Sequence, residues 1–139
     1  MSPGQRKRLI GIDPGRTKCG VATVYEDGER IELRVVPTAD MPAYLAGEAA
    51  AGDIARFCIG HATTSNAVVS MCRASFPDVP IAVVDESRTT LEARRRYYED
   101  HPPRGLARLI PRGLLVPAAP LDGYAALLIV ERFLSRTKP

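Results

Sequence analysis

The chain has 139 residues, 45% of them hydrophobic and 25% charged, with a formal net charge of +3. Those values suit one ordinary globular domain with its own core, and they exclude a disordered tail protein and a repetitive fibre. The longest apolar run, Tyr124 to Val130, is far short of the roughly 20 residues of a membrane helix, and no apolar signal segment follows the basic N-terminus. A cytoplasmic protein that avoids membranes is expected.

In chain order, Arg8 to Asp13 reads as a short apolar strand, and Asp13-Pro14-Gly15 turns out of it. Cys19 to Tyr25, rich in β-branched residues, reads as a second strand. Glu26-Asp27-Gly28-Glu29 then predicts a tight hairpin, because Asp-Gly supplies the positive φ such turns need, and Ile31, Leu33 and Val35 alternate with polar residues along a third strand. Ala43, Leu45, Ala46, Ala49 and Ala50 mark an alanine-rich helix, followed by a strand at Arg56 to Ile59. A helix containing Ala67, Val68, Met71, Cys72 and Ser75 ends at Phe76-Pro77-Asp78, before an apolar strand at Pro80 to Val84. Thr89 and Glu92 have capping-box spacing for a helix through about Tyr98, and Leu121 to Leu134 forms a closing helix. Between them, Asp100 to Pro120 is a proline-rich loop. Cys19, Cys58 and Cys72 lie in apolar stretches without CxxC spacing and read as buried reduced thiols.

Three antiparallel strands followed by alternating helix and strand predict an α/β fold with a mixed five-stranded sheet. The right-handed crossover rule sets the two later strands parallel to the first. Asp13 and the pair Asp85-Glu86 then fall at one edge of the sheet, where open α/β sheets bind ligands. Only one of Asp85 and Glu86 faces Asp13, since side chains alternate along a strand. Asp122, at the start of the last helix, reaches the same edge if that helix packs on the sheet through Leu121, Ala125, Leu128 and Ile129. Each carboxylate also has a purely structural use, as turn initiator, helix cap or solvated side chain. Converging without a lysine between them, they would repel one another unless a divalent cation held them. Oxygen-only ligands predict Mg²⁺ or Mn²⁺, which activates water for phosphodiester hydrolysis.

Two basic regions flank these acids. Arg6, Lys7, Arg8, Arg16 and Lys18 lie near the N-terminus, while Arg88, Arg94, Arg95, Arg96, Arg104, Arg108 and Arg112 face only Glu92, Glu99 and Asp100 locally. Arginine's planar fork suits phosphate. Arg16, Lys18, Arg88, Arg104, Arg108 and Arg112 are the expected nucleic-acid contacts.

The run from Leu9 to Ala22, Leu-Ile-Gly-Ile-Asp-Pro-Gly-Arg-Thr-Lys-Cys-Gly-Val-Ala, resembles the opening of the YqgF family, also called RuvX, in the ribonuclease H superfamily. Val84 to Ala93 is similar to that family's Asp-Glu-Arg-x-Thr-Thr block, and Leu121 to Ala126 resembles its final-helix aspartate followed by small residues. The blocks occur in order across nearly the whole chain. The resemblance implies a single ribonuclease H-like nuclease domain over 1–139, with Asp13, Glu86 and Asp122 as catalytic, metal-binding carboxylates and Asp85 as a helper ligand. It implies action on structured RNA or branched DNA, either maturation of the pre-16S rRNA 5′ end or Holliday junction resolution, and by kinship a homodimer. The chain departs from the pattern at Ser87, where the family has Arg, with Arg88 one place later. It departs again at Gly60-His61-Ala62, where the family has Gly-Leu-Pro. The hydroxyls of Thr63-Thr64-Ser65 that follow suit either phosphate binding or a helix cap, and His61 either proton transfer or an ordinary loop role.

Two other readings compete. Asp13-x-Gly15 with Thr17 is also similar to the first phosphate motif of actin-like ATPases and sugar kinases, but those bind nucleotide between two domains. A catalytically silent nucleic-acid-binding module of the same fold would keep the basic loops and use its carboxylates structurally.

Overall fold

The computed structural model describes residues 6–62, 64–85, 89–109 and 121–137. Its strands are β1 (Arg8–Asp13), β2 (Lys18–Tyr25), β3 (Arg30–Pro37), β4 (Ile54–Gly60) and β5 (Ile81–Val84), and its α-helices α1 (Met41–Ala51), α2 (Ser65–Ser75), α3 (Thr89–Asp100) and α4 (Asp122–Thr137). The strand order is β3-β2-β1-β4-β5. β1, β2 and β3 pair antiparallel in succession, whereas β4 is parallel to β1 and β5 to β4. This is the mixed five-stranded α/β sheet expected from the sequence, and it brings the carboxyl ends of β1, β4 and β5 to one edge.

The pleat divides the core in two. Ile10, Ile12, Cys19, Val21, Phe57 and Ile59 pack against Met41 and Leu45 of α1 and Val68, Val69 and Cys72 of α2. On the opposite face Leu9, Ala22, Val24, Cys58 and Val84 meet Ala126, Leu127, Ile129 and Val130 of α4. Outside α4, Ala93, Tyr97 and Tyr98 of α3 close over Tyr124 and Leu128. All three cysteines are free and buried, as expected, and burial pushes the thiols of Cys58 and Cys72 up to about 12.

Details depart from the sequence reading for physical reasons. β4 starts at Ile54, two residues early, because the Arg8 amide donates to the Asp53 carbonyl at 3.1 Å and Arg8 pairs with Ile54 before a register shift. The β2–β3 hairpin forms at Gly28, whose φ of 97° is the left-handed turn that Asp-Gly predicts. Its strand β3 is the sheet edge, and Ile31 and Val35 stay exposed there despite their alternation with polar residues. The expected loop after Asp100 contains a 3₁₀ turn at Gly105–Leu109, and its remainder, 110–120, lies outside the described residues. Among the described residues no helix is long and apolar enough to cross a membrane.

Candidate active site

Small residues set the site. A Cβ on Gly11 would lie 2.4 Å from Val130 Cγ2 and 2.6 Å from the Ala126 carbonyl, so α4 rests directly on the backbone of β1. A Cβ on Gly20 would lie 1.8 Å from the Asp122 carbonyl oxygen, so the first turn of α4 rests on β2 in the same way. Gly20 pairs with Asp13 across β1 and β2. Directly opposite residues of an antiparallel pair, and residues two apart on one strand, share a face. Asp13 therefore leaves the end of β1 on the face that carries α4, beside the point where Asp122 begins the helix.

The two aspartates differ in surroundings. Asp13 is partly buried at its strand end. The Asp122 side chain is 32% exposed overall, yet its Oδ2 atom is buried and takes no hydrogen bond. The Lys18 ammonium stands 3.4 Å from that oxygen. Lys18 lies two residues before Gly20 and so on the same face. This corrects the expectation of carboxylates gathered without a lysine between them.

Backbone and hydroxyl contacts hold the turn between β1 and β2. Thr38 Oγ1 donates to the Gly15 carbonyl at 2.9 Å, and the Thr38 amide donates to the Thr17 carbonyl at 2.9 Å. Thr38 thus positions the loop that carries Arg16 and Lys18. Nothing in its local sequence announces that role, because it depends on β3 ending beside the turn.

The start of α4 is tied from outside as well. Tyr124 Oη donates to Asp100 Oδ2 at 2.8 Å, and Arg30 donates to both oxygens of Asp100, at 2.9 and 3.2 Å. The Arg30 hydrogen bonds, aided by Tyr124, hold the Asp100 carboxyl below its ordinary 3.8. Burial, then the bond to Asp100, pushes the Tyr124 phenol up to about 12.

The other expected site residues are distributed as follows. Asp85 is exposed just past β5, and its backbone carbonyl accepts from Arg132 Nη1 at 2.7 Å. Glu86, Arg88 and Arg112 lie outside the described residues. Arg16, Arg104 and Arg108 are exposed, and Arg108 Nε donates to the Gly105 carbonyl at 3.3 Å. His61 is exposed at the same sheet edge, with its amide donating to the Val84 carbonyl at 2.8 Å. Ser65 is buried and its hydroxyl donates to the Ala62 carbonyl at 2.7 Å, which assigns that hydroxyl to the turn before α2.

The N-terminal basic cluster does not survive folding. Arg8 is buried, ion-paired with Glu48 at 2.6 Å and bonded to the Gly52 carbonyl at 2.7 Å. Arg6 pairs with Asp27 and Glu29 at the hairpin. Both stand at the opposite end of β1 from Asp13, with Arg8 about 17 Å away along the six-residue strand and Arg6 farther still. In the second basic region Arg96 reaches Glu99 at 3.4 Å on its own helix and Glu131 at 2.5 Å on α4, while Arg132 of α4 takes up Glu92 at 3.7 Å.

Asp13 and Asp122 offer carboxylate oxygens only, a donor set that suits a hard divalent cation, and the unbonded buried Oδ2 of Asp122 fits a site that takes one. Among the described residues, which omit Glu86, no group of three or more His, Cys, Asp or Glu stands together to hold a metal ion.

No family model matches the chain. Proteins from several strains of Coxiella burnetii named "Putative pre-16S rRNA nuclease" are 38% identical to it over 60 residues. That match covers 43% of this chain and 34% of the relatives, about a third of their length. Among solved structures, a ROK family transcriptional regulator homologous to E. coli MLC overlaps 69% of this chain and 32% of its own at 14% identity, with a TM-score of 0.43. A ROK family glucokinase from Streptomyces griseus overlaps 64% of this chain and 36% of its own at 17% identity, with a TM-score of 0.42.

Proposed function

We propose that the chain is a divalent-metal-dependent endonuclease that hydrolyses phosphodiester bonds in structured RNA, with precursor 16S rRNA as its substrate class. One observation carries the reading: close packing of α4 on Gly11 and Gly20 seats Asp122 beside Asp13 at the carboxyl edge of the sheet. The names of the partial relatives favour RNA over a branched DNA junction.

Asp13 and Asp122, with Glu86 from the segment after β5, would hold Mg²⁺ or Mn²⁺. Such an ion, when bound, lowers the pKa of a coordinated water and neutralises charge on the phosphate. The chain's own residues do the rest. Asp13 and Asp122 are held in register by strand pairing and by the flush helix, so their positioning entropy is met by folding rather than at the moment of reaction. Arg16, Arg104 and Arg108, exposed on the loops, take the phosphate backbone, with Arg88 and Arg112 as further contacts. Asp85 is exposed and serves at most as an outer ligand.

The test is cleavage by the parent chain and by Asp13→Asn, Glu86→Gln and Asp122→Asn. Each is assayed with Mg²⁺ or Mn²⁺ on a pre-rRNA fragment, a four-way DNA junction and single-stranded RNA. The parent should cut the pre-rRNA fragment, and each variant should lose cutting while binding is largely kept. Cutting of the junction alone would move the substrate to branched DNA. Binding without cutting of any of the three would establish the silent binding module instead.

A further inference from the structure

We infer that Lys18 is the resident counter-ion of the carboxylate site, an ammonium that a divalent cation must displace from Asp122 before the site can load. The inference rests on the metal-dependent reading above and adds a residue that sets how readily the metal enters.

Three observations meet here. Asp122 Oδ2 is buried and without a hydrogen bond, so its charge is neither hydrated nor shared with a backbone amide. An oxygen in that condition is costly unless a cation stands near it. Lys18 Nζ stands 3.4 Å from this atom. The lysine belongs to the same face as Gly20, and so is aimed at the start of α4 by the pleat of β2 rather than by chance contact of two long surface side chains. Finally, the Lys18 side chain is 54% exposed, so it has room to swing into solvent when another cation arrives.

Lysine suits this use better than arginine would. Its ammonium is a point charge on a flexible stem without a planar fork to lock onto a carboxylate. At 3.4 Å it neutralises Asp122 without a well-formed hydrogen bond, and it is easily given up. The metal then binds against a competing charge, and its affinity is lower than bare carboxylates would provide. The site would fill only where divalent cation is plentiful.

The experiment measures Mn²⁺ affinity of the full chain by calorimetric titration, for the parent, Lys18→Met, Lys18→Arg and Asp13→Asn, with no nucleic acid present. Thermal melts in chelator accompany it. Lys18→Met should bind Mn²⁺ about fivefold more tightly, the upper range for one partly exposed ion pair. In chelator it should melt below the parent, because Asp122 has lost its cation. Lys18→Arg should restore both values toward the parent. Asp13→Asn should bind Mn²⁺ more weakly.

If Asp13→Asn weakens Mn²⁺ binding while Lys18→Met leaves it unchanged, the metal reading stands and the role of Lys18 falls. If the parent and Asp13→Asn respond to Mn²⁺ alike, the metal reading itself fails and takes this inference with it. A gain in Mn²⁺ affinity equal for Lys18→Met and Lys18→Arg would also overturn the inference, since charge would then not be the cause.

Discussion

The two ends of β1 carry similar residues in opposite conditions. At the amino end, Arg8 is buried with its guanidinium shared among Glu48 and the carbonyls of Glu48 and Gly52, while Arg6 lies over the Tyr25 ring at 3.6 Å and pairs with Asp27 and Glu29. Every charge named there is answered by a partner within the fold. At the carboxyl end Asp13 and Asp122 come together through glycine contacts, and the buried Oδ2 of Asp122 has a single lysine at 3.4 Å and no hydrogen bond. A fold can close its charges when they serve only stability. The buried Oδ2 of Asp122 departs from that pattern, and the proposed metal role rests on this difference.

The largest expected effect lies at the closed end. Arg8→Ala leaves Glu48 without its partner in a partly buried position and frees two carbonyls, a loss of about 3 kcal/mol by analogy with broken buried pairs. Urea denaturation measures it. Nucleic-acid affinity should be unchanged once the variant is folded, and a drop in affinity would return Arg8 to the binding surface and erase the contrast between the two ends.

Next comes Gly20→Ala. The new methyl would meet the Asp122 carbonyl at 1.8 Å, and α4 must shift to admit it, at a cost of about 2 kcal/mol. Cleavage should fall more than stability does, because the shift separates Asp122 from Asp13. The same substitution at Gly47, on an open helix surface with nothing within 4 Å, should raise stability by up to about 1 kcal/mol and leave cleavage alone. Equal effects at the two glycines would show that the close approach of α4 does not set the site.

The smallest effect tests the clamp outside α4. Tyr124→Phe removes the hydrogen bond to Asp100 and should cost about 1 kcal/mol at neutral pH. Asp100 has a lowered folded pKa, so its contribution is present above the ordinary 3.8 and is lost as the pH falls through the lower folded value. Denaturation of parent and variant should therefore converge only once the pH falls below that lowered folded value. A difference that persists in acid would assign the loss to packing against Tyr97 rather than to the carboxylate.

The five strands and four α-helices of the described residues were legible because their signals are local. Apolar runs in β1 and β5, Asp-Gly at the hairpin and a proline-free apolar stripe in α4 need no knowledge of the rest of the chain. The carboxylates were legible as candidates for the same reason: Asp13 ends a strand and Asp122 starts a helix. What local signals could not settle was pairing. Arg6 and Arg8 sit close in sequence to Arg16 and Lys18, yet an extended strand carries them to the other end of the sheet. Arg96 reaches Glu131, and Arg132 reaches Glu92, only because α3 packs on α4.

The sequence by itself thus determined the elements, their order, the parallel setting of β4 and β5 and the residue types at the sheet edge, since these follow from periodicity, turn chemistry and chirality. Tertiary structure alone decided which charges meet. Gly11 and Gly20 read as unremarkable small residues in strands until α4 lies on them, and Lys18 reads as one more surface cation until the pleat sets it against Asp122. Coulomb interaction depends on distance in space, and contacts between residues a hundred positions apart are fixed only when the sheet and its helix close together.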